Sequence, residues 1–281
     1  MYDTNNTTFK NSGKTATRIL SASDYVKRIK DEVNCVWHSN TVDTFKAGDP
    51  ETPVTGIACT FIASLDVIRK AVDLNCNLII THEPVFYNHF DETGNLGNDP
   101  AYNEKLKLIK DNNLVIWRFH DHWHRNTPDG ITEGLLRRLH WEKFVTSRDP
   151  VLLEFPEMFA GEFLHRLKRA FGQSPVRLVG NPSMPFRKAV LAPGSPGIRQ
   201  IIRLLGRDDV DLLITGEESE WGSVGYLKDL NSIGKPKAMI LLGHANSEEA
   251  GMKYCAEWLR TFIQSVPVHF VAAGDPFNPG L

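Results

Sequence analysis

The chain has 281 residues, with 32 Lys and Arg against 34 Asp and Glu, a formal net charge of −2, 41% hydrophobic residues and 23% charged ones. That is ordinary globular material, long enough for one large α/β unit or two domains. The charge balance gives no electrostatic case for nucleic acid or an anionic membrane surface, and no apolar run approaches the roughly 18 residues that a membrane span needs.

Residues 1–20 are rich in Asn, Thr, Lys and Ser without apolar periodicity, and are expected to form a disordered tail. Ser23-Asp24 then reads as the cap of an amphipathic helix to about Cys35, with Tyr25, Val26, Ile29 and Val33 at helical spacing. Gly56 to Phe61 reads as a strand, Ser64 as the cap of a following helix, and Asn77 to Thr81 as a second buried strand. That strand runs into Thr81-His82-Glu83-Pro84, where proline stops continuation and two ligand-type side chains stand together. A loop rich in Gly, Asn and Asp precedes a helix from about Ala101 to Asp111.

The next strand, from Leu114, emerges into Phe119-His120-Asp121-His122-Trp123-His124. Were the strand to continue, the three histidines would share one face at period two; were the chain to turn after Phe119, they would fan around a loop. Either way imidazoles and a carboxylate gather at one strand end, the residue types of a metal or acid-base site. Trp117, Trp123 and Trp141 nearby read either as a stacking wall for a ring-shaped substrate or as core and subunit-contact aromatics.

Gly130 to Leu139 reads as a helix, followed by strands at Val151–Phe155, Val176–Val179 and Arg187–Leu191, with a helix from Met158 to Phe171 between the first two. Pro193-Gly194-Ser195-Pro196-Gly197 then turns into a helix from Ile198 to Leu205, and is either an anion-binding turn or only a tight connection. Asp211 to Glu218 echoes Asn77 to Glu83, and a helix from Glu220 to Leu230 leads to a strand, Lys237 to Leu242, that again ends in histidine, His244. His244 and Glu248, four residues apart on the first turn of a long helix, share one face; the competing reading makes Ser247 the helix cap. A last strand spans Val266 to Ala272.

Alternating strands and helices with two similar halves predict an α/β fold of two related lobes, residues 21–145 and 146–281, whose strand-end ligands meet in a central cleft. His82, Glu83, His120, Asp121, His124, His244 and Glu248 are more donors than one ion needs. Bridging carboxylates favour a pair of divalent ions such as zinc, iron or manganese. The four cysteines, Cys35, Cys59, Cys76 and Cys255, lie far apart without a C-x-x-C pair, and read as reduced core residues of a cytoplasmic protein.

Thr81-His82-Glu83-Pro84 after an apolar strand resembles the Thr-His-His-Pro signature of the Nif-three-like family, dinuclear metal-centre proteins often labelled GTP cyclohydrolase I type 2. His120 with His124 is similar to that family's His-Thr-x-x-Asp segment, Asp211 to Glu217 to its Ile-Thr-Gly-Glu/Asp strand end, and Gly243-His244-x-x-x-Glu248 to its C-terminal Gly-His-x-x-x-Glu. The resemblance implies two α/β domains, a metal pair between them, and a hexameric ring. It also implies the ligands His82, Glu83 in place of a histidine, His120, His124 in place of an aspartate, His244 and Glu248, with Asp121 or His122 as substitutes. The function expected is a metal-dependent hydrolase that uses a metal-bound hydroxide on a small molecule of nucleotide-like kind, with Glu217 or His122 shuttling protons. GTP ring opening itself finds little support, because no P-loop is present. The alternative is a non-catalytic, metal-stabilised oligomeric scaffold or adaptor.

Overall fold

Five runs of four residues, Ile57–Thr60, Leu78–Thr81, Val115–Arg118, Leu212–Thr215 and Ala238–Leu241, are buried at every position. A strand buried on both faces needs helices on both sides of its sheet. The computed structural model, which describes residues 19–172 and 174–277, supplies them. The expected tail at residues 1–20 falls almost wholly outside the described residues.

In chain order the first half holds α1 (Ala22–Glu32), β1 (Phe45–Ala47), β2 (Ile57–Thr60), α2 (Leu65–Asp73), β3 (Leu78–Thr81), α3 (Pro100–Asp111), β4 (Val115–Arg118), α4 (Asp121–Arg125) and α5 (Gly130–Leu139). The second half holds β5 (Val145–Arg148), β6 (Val151–Phe159), α6 (Ala160–Ala170), β7 (Arg177–Val179), β8 (Pro185–Ala192), α7 (Ile198–Leu205) and β9 (Leu212–Thr215). After a π-helical turn at Glu220–Val224 come α8 (Gly225–Ser232), β10 (Ala238–Leu241), α9 (His244–Arg260) and β11 (Val268–Phe270). The first helix is capped by Ser21 in a capping box with Asp24, two residues ahead of the Ser23 cap expected from the sequence. The short strands β1 and β5 escaped the periodicity argument, because three or four half-buried residues carry almost no pattern.

The first sheet runs β1-β4-β3-β2-β11 and the second β5-β6-β8-β9-β10-β7. In the first, β11, β2, β3 and β4 are parallel and β1 closes the edge antiparallel. In the second, β8, β9 and β10 are the parallel centre, flanked by antiparallel β6 and β7. Alternate strand residues feed opposite faces. Ile57, Cys59, Leu78 and Ile80 pack with α1 and α9, while Ala58 and Ile79 pack with α2 and α3. In the second sheet Leu212 and Ile214 face α5 and α6, and Leu213 faces α7 and α8.

The pseudo-repeat is therefore a pair of matching parallel cores, with β3 and β9 as their equivalent central strands. The sheets nevertheless do not divide the chain at one point, since α9 and β11 follow the second sheet in sequence but complete the first. Helices α5 and α9 cross at glycine on both sides. A Cβ on Gly134 would lie 2.4 Å from the Ala250 carbonyl, and one on Gly251 would lie 2.4 Å from Ile131 Cα. That crossing locks the lobes together and sets the distance between their strand ends. Trp117, Trp123 and Trp141 are all buried, which makes them core aromatics and removes the stacking wall considered for them.

Candidate metal centre

Two strand ends build the site by the same device. After β4 the chain turns directly into α4, and after β10 into α9, so the first helical turn at each place presents an i, i+4 pair. The pairs are His120 with His124 and His244 with Glu248. The histidine run thus neither stays extended nor fans around a loop. Helical period places His120 and His124 on one face and sends His122 to the other.

The third contribution comes from the end of β3. His82 is fully buried and its Nε2 lies 3.3 Å from Glu248 Oε2, while His244 Nε2 lies 3.1 Å from the same oxygen. Glu83 Oε1 is 3.4 Å from His244 Nε2 and 4.0 Å from His120 Nε2, and Glu248 Oε1 is 3.8 Å from His124 Nε2. All six side chains named from the sequence as ligands are brought together from both halves of the chain. Two overlapping groups, His82-His120-His124 and His82-Glu83-Glu248, each offer donor atoms within 4.8 Å of one another and could hold a metal ion.

Each imidazole is fixed through its other nitrogen. Nδ1 of His82 lies 3.2 Å from the Phe119 carbonyl, that of His120 3.0 Å from Asp121 Oδ1, that of His124 3.1 Å from Asp129 Oδ2, and that of His244 3.1 Å from Glu217 Oε1. An oxygen acceptor on Nδ1 selects the tautomer that leaves Nε2 as a lone-pair donor, which is how metal-binding histidines are oriented. Asp121 and Glu217 therefore hold ligands in place. Asp129 also caps α5, its Oδ1 accepting the Ile131 and Thr132 amides.

The electrostatics follow from crowding two carboxylates among four imidazoles. Burial disfavours charge on His244, but its approach to Glu248 and Glu83 outweighs this and raises its pKa to about 11. Burial acts the same way on His124, and Asp129 and Glu248 overcome it, to about 9. On His120 burial prevails and the pKa falls. Burial would raise the carboxylates, yet the neighbouring imidazoles push Glu83 down to about 2 and Glu248 well below the usual range. Both carboxylates are thus held as anions facing the imidazoles, and a divalent cation would take the place of the protons that His124 and His244 otherwise carry on Nε2.

The donor set fits a divalent cation. Nε2 of His82 and Oε2 of Glu248 are buried without a hydrogen-bond partner. Unpartnered buried polar atoms are costly, and one shared cation would satisfy both. The centre opens to a cleft of about 890 Å³ bounded by α4, by the start of α5 and by the 193–197 loop.

That loop is built around the ligands. A Cβ on Gly194 would stand 2.0 Å from Glu248 Oε1, and the Gly194 amide donates to Ser247 Oγ, whose hydroxyl donates to the His244 carbonyl. With its amide so engaged, Gly194 is a packing element against Glu248, as in the tight-connection reading. Ser247 is not the cap of α9; Gly243 occupies that position.

His122, expected as a proton shuttle, lies outside the centre. It is fully buried, its Nδ1 2.7 Å from Asp43 Oδ2 and its Nε2 accepting from the His38 amide, stacked 3.6 Å from the Trp37 ring. With both nitrogens engaged inside the core it has no path to a substrate, which corrects its assignment as a catalytic group. Sequence reading missed Asp43, Asp129, and Arg118, a buried guanidinium whose Nε donates to the His82 carbonyl and which lies 3.9 Å from Glu83. It also missed His89, which lines the cleft. Asp129 alone had a local signal, as an acidic cap directly ahead of a helix.

Residues 21–276 match the family model Duf34/NIF3 (NGG1p interacting factor 3). The chain belongs to the Duf34/NIF3 family. The GTP cyclohydrolase 1 type 2 homolog of Clostridium acetobutylicum is 25% identical over 212 residues, covering 72% of this chain and 75% of its own. Among solved structures, Staphylococcus aureus hypothetical protein SA1388 superposes with a TM-score of 0.71 at 16% identity, over 92% of this chain and 99% of that one. A Bacillus cereus protein related to NIF3 superposes equally well, TM-score 0.71 at 15% identity, over 93% and 99%. These likenesses establish the two-lobed Duf34/NIF3 α/β fold expected from the sequence. No helix among the described residues is long and apolar enough to cross a membrane.

Proposed function

We propose that this Duf34/NIF3 protein is a metal-dependent hydrolase with a dinuclear centre, acting on a small nucleotide-like molecule in the cleft between its lobes. The observation that carries this reading is the span of Glu248, which approaches His124 with one oxygen and both His82 and His244 with the other. His120 and His124 would hold one ion and His82 and His244 another, with Glu248 and Glu83 as the carboxylates available to both. When bound, such ions supply Lewis acidity, polarising the electrophile and acidifying water.

The chain's own residues orient and handle protons. Asp121, Asp129 and Glu217 hold the imidazoles in the tautomer that keeps Nε2 free. In this reading Glu217, half-exposed on the Nδ1 side of His244, is the group that takes up the proton of the attacking water and returns it to the leaving group. Four unpaired thiols, three of them buried, support a cytoplasmic setting, and the family resemblance carries with it a homo-oligomeric, hexameric ring.

The test combines metal content with turnover. The purified protein is expected to carry zinc, iron or manganese and to hydrolyse at least one member of a nucleotide, phosphoester and amide panel, with Glu217→Gln lowering kcat while metal content holds. Metal-free protein that stays silent across the panel with each of the three ions overturns the reading.

A further inference from the structure

A second cavity, of about 550 Å³, shares Glu83 and His244 with the cleft, reaches Glu217 as well, and is walled by different side chains: Phe61, Tyr87, Lys105, Asp275 and Phe277. Phe61 is buried, its ring 5.6 Å from that of His244. Tyr87 and Phe277 are 58% and 74% exposed, an unusual placement for large rings beside a polar centre.

Tyr87 is held there against its own preference. Its φ is +67°, a left-handed conformation that bulky residues avoid. The preceding turn is pinned by Asp91 Oδ1, which accepts the Val85 and Phe86 amides at 2.7 and 2.9 Å. The Asp91 carboxylate is itself buried against Lys46 at 3.3 Å. Lys105 is buried too, donating to the Val85 carbonyl, with its ammonium 4.8 Å from the Tyr87 ring centroid. Strain kept in place by a buried charge network beside a candidate centre marks a conformation retained for a use.

The chemistry of the walls narrows the occupant. Aromatic faces favour a flat ring. The carboxylates of Glu83, Glu217 and Asp275 accept hydrogen bonds, so the ring edge should carry N–H donors. We infer that this cavity seats a planar, amino-bearing heteroaromatic ring of the substrate, stacked on Tyr87 and Phe277, with the scissile bond directed toward Glu83 and His244. The assignment of the scissile end rests on the hydrolase reading; the ring site itself does not.

The probe is 2-aminopurine riboside, an uncharged amino-bearing heterocycle whose fluorescence is quenched by stacking, titrated into full-length protein with and without zinc. Saturable quenching is expected, weakened at least about five-fold in Tyr87→Ala and in Phe277→Ala, as for loss of one stacking partner. Tyr87→Phe should keep it, and Trp221→Ala, which removes an exposed ring outside the cavity, should leave it unchanged. Absence of saturable quenching up to millimolar probe, or equal quenching in wild type and both alanine variants, overturns the inference. Tyr87-dependent quenching in a protein that carries no metal and hydrolyses nothing leaves the ring site standing and removes the hydrolase reading. Turnover of a ring-bearing substrate with the same kcat/KM in wild type, Tyr87→Ala and Phe277→Ala does the reverse.

Discussion

Asp43 and His122, neither exposed at all, meet at 2.7 Å between Oδ2 and Nδ1, and that contact is one of four that the Asp43 carboxylate makes to α4 and the residue before it. Oδ1 accepts the backbone amides of His120 and Asp121 at 2.7 and 2.9 Å, and Oδ2 accepts that of His122 at 2.8 Å. A helix of five residues cannot persist alone, and α4 has no cap of its own, because His120 makes no capping hydrogen bond. Asp43, from the segment ahead of β1, serves instead as its cap.

Replacing this carboxylate tests that role. Asp43→Ala strands three amides and an imidazole in the core, and should cost about 3 kcal/mol of stability in urea unfolding. Metal affinity should fall with it, since His120 and His124 both ride on α4. His122→Ala removes only one of the four contacts, and should lower stability while leaving metal binding largely intact, measured by calorimetric titration.

Stoichiometry separates one ion from two. With a bridging Glu248, His120→Ala and His244→Ala should each lower the bound metal from two ions to one, and Glu248→Ala should lower it to none. If any one of these histidine substitutions already empties the centre, measured by elemental analysis after dialysis, the centre is mononuclear.

Gly194 offers a test that touches no ligand. A methyl group there would stand 2.0 Å from Glu248 Oε1 and must also accept a φ of +70°. Gly194→Ala should therefore displace either the loop or the carboxylate. The expected outcome is metal affinity at least ten-fold weaker, about 1.4 kcal/mol, together with a lower melting temperature.

The buried ammonium of Lys105 gives a pH signature apart from the metal centre. Burial lowers its pKa from 10.5 to about 8, against the opposing pull of Asp91. Between those two values the unfolded chain binds more protons than the folded one, so this group's contribution to stability rises with pH. Lys105→Met removes the cost of a buried charge, and its stability relative to wild type should be greatest below pH 8 and shrink toward pH 10. Urea midpoints for both proteins across that range check the slope.

Much of the molecule was legible without coordinates. Runs such as Asn77 to Thr81 and Asp211 to Thr215 declare doubly covered strands through apolar composition alone. Ser64 and the apolar spacing behind it declare a helix, because both signals lie within a few residues of each other. The six candidate donors and their placement at strand ends were equally readable, since each strand end is a local event. What no periodicity carries is the direction of a side chain after a strand ends. Whether His122 or His124 faced the centre depended on α4 forming, and α4 forms because Asp43 arrives from 77 residues away to accept the His120 amide. The same holds for Gly194 against Glu248 and for Tyr87 above Lys105. Burial and backbone period are written in neighbouring residues, whereas the acceptors that fix imidazoles and single-turn helices are supplied by whichever distant segment the packed fold brings alongside.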